Sequence, residues 1–198
     1  LDILVGTQMV TKGFDFENVG IVGILSADQL LQFPDFRSSE RAFQLMTQVS
    51  GRAGRKEKKG KVVIQAINQQ HPVLKEVLDN DFKAFYHREV YERQEFNYPP
   101  FKRLIKLQLK HKKPNVLNEA SSLLAKALRE KLGNRVIGPA LPTVPRVRNY
   151  YLTDILLKIE RSPKHIKQSK KILLQAIQWL KKQPGYSTIR VNIDVDPL

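Results

Sequence analysis

The chain contains no cysteine, which excludes disulfides and thiolate metal sites within its 198 residues. No apolar run approaches the roughly 20 residues that a membrane-spanning helix needs. The N-terminus has no basic stretch followed by an apolar signal core. The cytoplasm is therefore the expected location, and no membrane is expected among the partners. Histidine is scarce, and His71, His87, His111 and His165 stand without ligand spacing, so no bound metal is expected. Acidic residues are scarce in one half only. Residues 1–100 carry 13 Lys plus Arg and 13 Asp plus Glu, whereas residues 101–198 carry 21 and 6 and so hold the whole net charge of +15. A half that basic attracts polyanions, with nucleic acid the leading candidate and ribosomal association or plain solubility the blander alternatives. With 41% apolar and 27% charged residues, the composition is that of a folded protein of one or two domains.

Against these absences, the stretch Gln44 to Arg55, QLMTQVSGRAGR, stands out. Arg52 and Arg55 are three residues apart, preceded by Gly51 and Gly54. Arginine's planar fork stays charged and bonds phosphate oxygens in pairs, and glycine lets backbone and ligand approach closely. The pattern suits two guanidinium groups placed on one polyphosphate. Ser38 and Ser39 are expected to cap the helix leading into it, with Glu40 in the first turn and Ala42, Leu45, Met46 and Val49 as its apolar stripe. Arg41, Gln48, Arg52 and Arg55 then share a neighbouring polar stripe, and the glycines end the regular helix. The alternative is a solvated basic helix end, where arginine is favourable against the helix dipole.

Taken in order, Asp2 to Val5 reads as the end of a buried strand with nothing before it to serve as a sheet neighbour, which points to a fragment. Gly6 to Phe16, GTQMVTKGFDF, continues as a polar loop of the kind that binds ligands at the carboxyl ends of strands in open α/β sheets. There Thr7 and Gln8 offer donors to a phosphate or sugar, Lys12 a mobile charge and Asp15 an acceptor for a ribose hydroxyl. Val19 to Leu25 predicts a strand covered on both faces, Asp28 to Phe36 an irregular connection, and Lys61 to Ile67 a second strand. Strand, helix and strand imply a parallel unit with a right-handed crossover. His71 to Asn80 and Asp81 to Phe96 predict two helices, the second turning Phe82, Phe85, Tyr86 and Val90 to a core; a base-stacking platform is the alternative for these rings. Tyr98-Pro99-Pro100 blocks a helix and marks the boundary.

The basic half alternates. Ile105, Leu107 and Leu109 interleave with Lys106, Gln108 and Lys110, a strand with one wet face. Asn115 to Leu132 predicts an amphipathic helix ended by Gly133. Val136 to Tyr150, with Pro139, Pro142 and Pro145, predicts an extended stiff loop carrying Arg146 and Arg148. A strand over Tyr151 to Glu160 follows, then a helix opened by Ser162-Pro163 with Ile166, Leu173, Ile177 and Leu180 inward and Lys164 among the lysines bordering it. Ile189 to Asp196 alternates again. This order predicts a ferredoxin-like α+β sandwich. A charged helix face is usually solvated surface, but the summed asymmetry favours a polyanion.

The spacing Thr7 to Asp15 (T, five residues, G, one residue, D) followed by Gln48 to Arg55 (QxxGRxGR) resembles motifs V and VI of superfamily 2 helicases. The wording GTQMVTKGFDF, then DFRSSERAFQLMTQVSGRAGR, then His71-Pro72, Tyr98-Pro99-Pro100-Phe101 and Asp194-Val195-Asp196-Pro197 is similar, over essentially the whole chain, to the bacterial primosomal replication-restart helicases. The resemblance implies an α/β plus α+β chain: residues 1–70 as part of RecA-like lobe 2, 71–101 as a helical bridge and Pro linker, and 102–198 as a basic, ribosomal S10-like DNA- or partner-binding domain. It implies that Arg52 and Arg55 contact the ATP γ-phosphate across a cleft, with Gln48 orienting the attacking water or coupling to the acidic motif of lobe 1. Gly13, Asp15 and Gly51 would line the nucleotide side, and Thr7, Gln8 and Lys12 would face the tracked strand's phosphates or relay its presence to the nucleotide. Arg146, Arg148 and Lys164 would meet branched DNA or the acidic tail of single-stranded DNA-binding protein. Partners implied are forked and single-stranded DNA, that protein and other primosome proteins; cofactors are ATP and Mg, with Zn in the full-length family. The sequence departs from the family in having no GxxxxGK[ST] loop, no DEAH-type acidic motif and no cysteine-rich zinc insertion. The chain alone is therefore expected neither to hydrolyse ATP nor to unwind DNA. A non-catalytic nucleic-acid or ribosome-binding adaptor, whose GRAGR turn merely grips phosphate, is the other reading.

Overall fold

The structure, a computed structural model, describes residues 3–7, 19–51, 53 and 60–197. The chain divides into two compact units, Leu1–Glu92 and Arg93–Leu198, which are taken separately.

In the first unit β1 (Ile21–Ile24) and β2 (Lys61–Ile64) pair in parallel, Ile21 opposite Lys61 through Ile24 opposite Ile64. Parallel pairing requires a crossover, supplied in part by α1 (Ala27–Leu31) and α2 (Ser38–Ser50). The connection expected to be irregular thus contains a helical turn. Its buried Asp28 carboxylate accepts the backbone N–H groups of Ile67 at 2.7 Å and Asn68 at 3.2 Å, and these bonds hold its pKa below the ordinary value. Ala42, Phe43 and Met46 of α2 are buried against Val73, Leu74 and Val77 of α3 (Pro72–Leu78) and Phe85 of α4 (Phe82–Glu95). The Phe43 and Phe85 rings stack with centroids 4.2 Å apart. Leu45 and Val49, expected on the same stripe, are half-buried.

Four expectations need correction here. Ile3, Leu4 and Val5 are exposed and lie outside any strand; an apolar run becomes a strand only where another strand offers it a hydrogen-bonding edge. Asp2 lies outside the described residues. Among the described residues β1 is covered on one face: Ile24 packs on the core, while Ile21 is 68% exposed. The α2 cap is not a serine. Arg37 occupies the N-cap without a side-chain bond, and Asp35 closes the turn by accepting Arg37 N–H and Ser38 N–H, each at 3.0 Å, and pairing with Arg41 at 2.8 Å. On α4, Phe85 is buried but Phe82 and Tyr86 are more than half exposed. The inward turn of that helix is instead fastened by Arg88, which bonds both Glu76 oxygens at 2.7 and 2.8 Å.

The second unit is a five-stranded sheet in the order β4-β6-β3-β7, with β5 also pairing β6. Its elements are β3 (Lys102–His111), α5 (Pro114–Leu132), β4 (Val136–Ala140), β5 (Arg146–Val147), β6 (Tyr150–Glu160), α6 (Pro163–Lys182) and β7 (Arg190–Val195). All pairings are antiparallel, with Leu107 opposite both Ile155 and Ile193. Alternation sends Ile105, Leu107, Leu109, Ile155, Leu157 and Ile159 to one face, where Leu117, Leu124, Leu128, Leu173 and Leu180 of the two helices complete one core. Ser162 caps α6 by accepting His165 N–H at 3.3 Å, and Pro163 occupies its first turn, as the sequence predicts.

The expected stiff loop over Val136 to Tyr150 is wrong in part, since it contains β4 and β5. β4 is an edge strand whose register shifts between Ile137 and Ala140. That is where a sheet tolerates a residue without an N–H, such as Pro139. The architecture is mixed α/β with one parallel and one antiparallel sheet.

Candidate nucleic-acid interface

The residues singled out in the first unit are only partly described. Gln8, Lys12, Gly13, Asp15, Arg52 and Arg55 lie outside the described residues, while Thr7 is exposed chain and Gln48 is exposed on α2. Gly51 ends the helix as expected, its N–H bonded to Thr47 O at 3.0 Å. Its φ of −66° is helical, and an added Cβ would meet only ordinary contacts at 3.5 and 3.6 Å. The turn itself does not demand glycine at this position.

In the second unit Arg146 and Arg148 are brought together on the β5–β6 hairpin. Arg146 lies opposite Tyr151 in register, its guanidinium 5.0 Å from the ring centroid. Arg148 turns the hairpin with φ of +54°. Lys164 is elsewhere. It sits in the first turn of α6, beyond the far end of β6, a strand whose 11 residues span about 35 Å at ~3.3 Å each. The helix then runs back, so its last-turn lysines, Lys181 and Lys182, return toward the hairpin end.

Charge is distributed unevenly along this sheet. At the end away from the hairpin, cations and carboxylates are matched: Glu160 is held by Lys102 at 3.0 Å and Arg135 at 2.8 Å, and Arg103 pairs with Asp196 at 3.2 Å. Burial pushes the Glu160 carboxyl up, but hydrogen bonds from its own backbone N–H, Lys102 and Arg135 outweigh this and hold it at about 2. At the hairpin end, Lys110, Lys112, Arg146, Arg148 and Arg190 have no carboxylate partner among the described residues. Two tyrosines accompany them instead: Lys112 Nζ and Arg190 Cζ stand 5.9 and 5.2 Å from the Tyr150 ring centroid. Unmatched cations beside aromatic rings are the chemistry that meets phosphodiesters and bases.

The sequence singles out Arg146 and Arg148 through the composition of a Pro-rich stretch, and does not single out Lys112 or Arg190. Lys110 and Arg190 are each other's neighbours across β3 and β7, a register that alternation alone does not fix. The signal within reach was the polar half of the two alternating runs.

The family described as Primosomal protein N C-terminal domain matches residues 94–198, nearly the span of the second unit. The chain is 36% identical over 198 residues to Replication restart protein PriA of Bacillus subtilis, covering 99% of this chain and 24% of that protein. It is 38% identical over 199 residues to the protein of the same name from Synechocystis, covering 100% and 23%. To that of Chlamydia trachomatis it is 49% identical over 105 residues, 53% of this chain and 14% of the relative. The chain thus spans about a quarter of the length of the relatives it matches end to end.

Proposed function

Because this chain belongs to the family of the primosomal protein N C-terminal domain, we propose that it is the C-terminal part of an ATP-dependent 3′ to 5′ DNA helicase. That helicase recognises stalled or abandoned replication forks and initiates primosome assembly. What carries the reading is similarity along the whole chain to relatives named Replication restart protein PriA. In this reading residues 1–70 are part of a RecA-like lobe 2, 71–101 a bridge, and 102–198 a ferredoxin-like or S10-like basic domain. The parallel pairing of β1 and β2 and the two helices on one face of an antiparallel sheet support those assignments.

Arg52 and Arg55 then act on the ATP γ-phosphate with Gln48 orienting water, and Gly13, Asp15 and Gly51 line the nucleotide side. Thr7, Gln8 and Lys12 face the translocating strand. ATP and magnesium are held mainly by a facing lobe. In this reading zinc, too, belongs to other parts of the full-length protein. No helix among the described residues is long and apolar enough to cross a membrane. In this reading the protein works in the cytoplasm on forked and single-stranded DNA, with single-stranded DNA-binding protein and primosome proteins as partners.

The DNA-binding part is tested on the 198-residue chain. Arg146→Glu with Arg148→Glu is expected to weaken binding to a labelled fork by about tenfold or more, with a shallower dependence on salt as counterion release falls. Fluorescence anisotropy at several KCl concentrations reads both. Unchanged affinity and slope would remove the hairpin from the interface. Tighter binding to ribosomal RNA than to any fork would favour the adaptor.

A further inference from the structure

The hairpin end of the larger sheet carries a second arrangement, on the face opposite the helices. Lys110 lies across from Arg190 on β7 and from Leu152 on β6. Tyr150, two residues before Leu152, is half-buried, with the ammonium of Lys112, which directly follows β3, and the guanidinium of Arg190 on β7 over its ring. Repulsion spreads solvated cations apart unless something holds them. Here strand register sets Lys110 beside Arg190, and Arg190 shares the Tyr150 ring with Lys112, with no carboxylate pairing any of the three among the described residues.

The carboxylates that share this face stand further in. Asp154 is opposite Gln108 and accepts its Nε2 at 3.2 Å, and Asp194 is opposite Lys106. Gln108 is also opposite Asn192, so amide side chains, which can meet base edges, adjoin the cations.

We infer that this end of the sheet binds one strand of nucleic acid, a base stacking on Tyr150 while Lys110, Lys112 and Arg190 take the flanking phosphates. The inference rests on the polyanion reading above and deepens it by naming the strand form. A base inside a duplex is already stacked on both sides and offers no free face to a tyrosine, whereas an unpaired base does. The guanidinium and ammonium over the ring, both on long side chains, are within reach of the phosphates joined to a nucleotide that stacks there.

The test uses the whole 198-residue chain with labelled oligo-dT and a hairpin duplex of matched charge. Lys110→Gln with Arg190→Gln is expected to weaken oligo-dT binding by about tenfold and to lower the salt slope by about 1.4, two single-strand phosphate contacts at roughly 0.7 each. Tyr150→Leu is expected to cost oligo-dT about fivefold or more and the duplex little, with Tyr150→Phe restoring it and thermal melting checking that each variant is folded. Leu and Phe variants of equal affinity, or equal loss for duplex and oligo-dT, overturn the stacking site. So does a polyglutamate peptide that needs Lys110 and Arg190 when oligo-dT does not. If the Arg146 and Arg148 variants still lose fork binding while these variants bind oligo-dT normally, this subsite alone is wrong. If neither set loses binding, the broader reading fails with it.

Discussion

At the scale of single residues, His71 shows how one proton decides a helix end. Its Nδ1 accepts the N–H of Val73 at 3.3 Å as the N-cap of α3, so that nitrogen must be unprotonated. Burial, reinforced by the nearby Arg88 charge, lowers its pKa from the model-peptide value of 6.5. A depressed histidine favours the neutral form on folding. Its contribution is therefore present above the unfolded value and is lost as pH falls through the lower folded one. His71→Ala should cost about 1 kcal/mol at pH 7.5, the usual worth of a cap, and the difference should shrink toward pH 5. Urea titrations of both proteins at the two pH values measure it. A gap that stays constant or widens in acid would mean that the imidazole is not acting as an acceptor.

Among the elements, the edge strand β4 rests on a single backbone requirement. Gly138 has φ of +97°, and a Cβ there would stand 2.9 Å from Asp154 O and 3.2 Å from Ala140 N. Both contacts are backbone, so neither can swing aside. Gly138→Ala should cost about 2 kcal/mol or more, whereas Gly185→Ala, with φ of +84° and open space around it, should cost about 1 kcal/mol from conformation alone. Equal destabilisation by the two in thermal melts would mean that the β4 irregularity relaxes around the methyl. The same strand marks the limit of what was legible in the sequence. The helices over 114–132 and 163–182 and the strands β3 and β6 were readable because each repeats a local period against one core. β4 and β5 were not, because Pro139, Pro142 and Pro145 disguise short edge pairings that only β6 creates. The site follows the same division: the residue types at Arg146 and Arg148 were visible, but the separation of Lys164 from them and the gathering of Lys112 and Arg190 near Tyr150 depend on strand direction and register.

The whole molecule joins two units of unequal burial. Among the described residues seventeen form the core of the second unit and nine that of the first, and apolar burial is the main favourable contribution to folding. The larger core also ties two long helices to long paired strands. In the first unit, by contrast, β1 and β2 pair over only four residues each and leave Ile21 and Val63 about half exposed or more. The two units should therefore unfold in separate steps, the first unit at lower denaturant. Trp179, the only tryptophan, lies on α6 of the second unit and is 42% exposed, so its fluorescence follows that unit alone while far-UV circular dichroism follows both. In a urea titration the dichroism should begin to fall before the tryptophan emission shifts. Coincident curves would show instead that the two cores melt as one cooperative body.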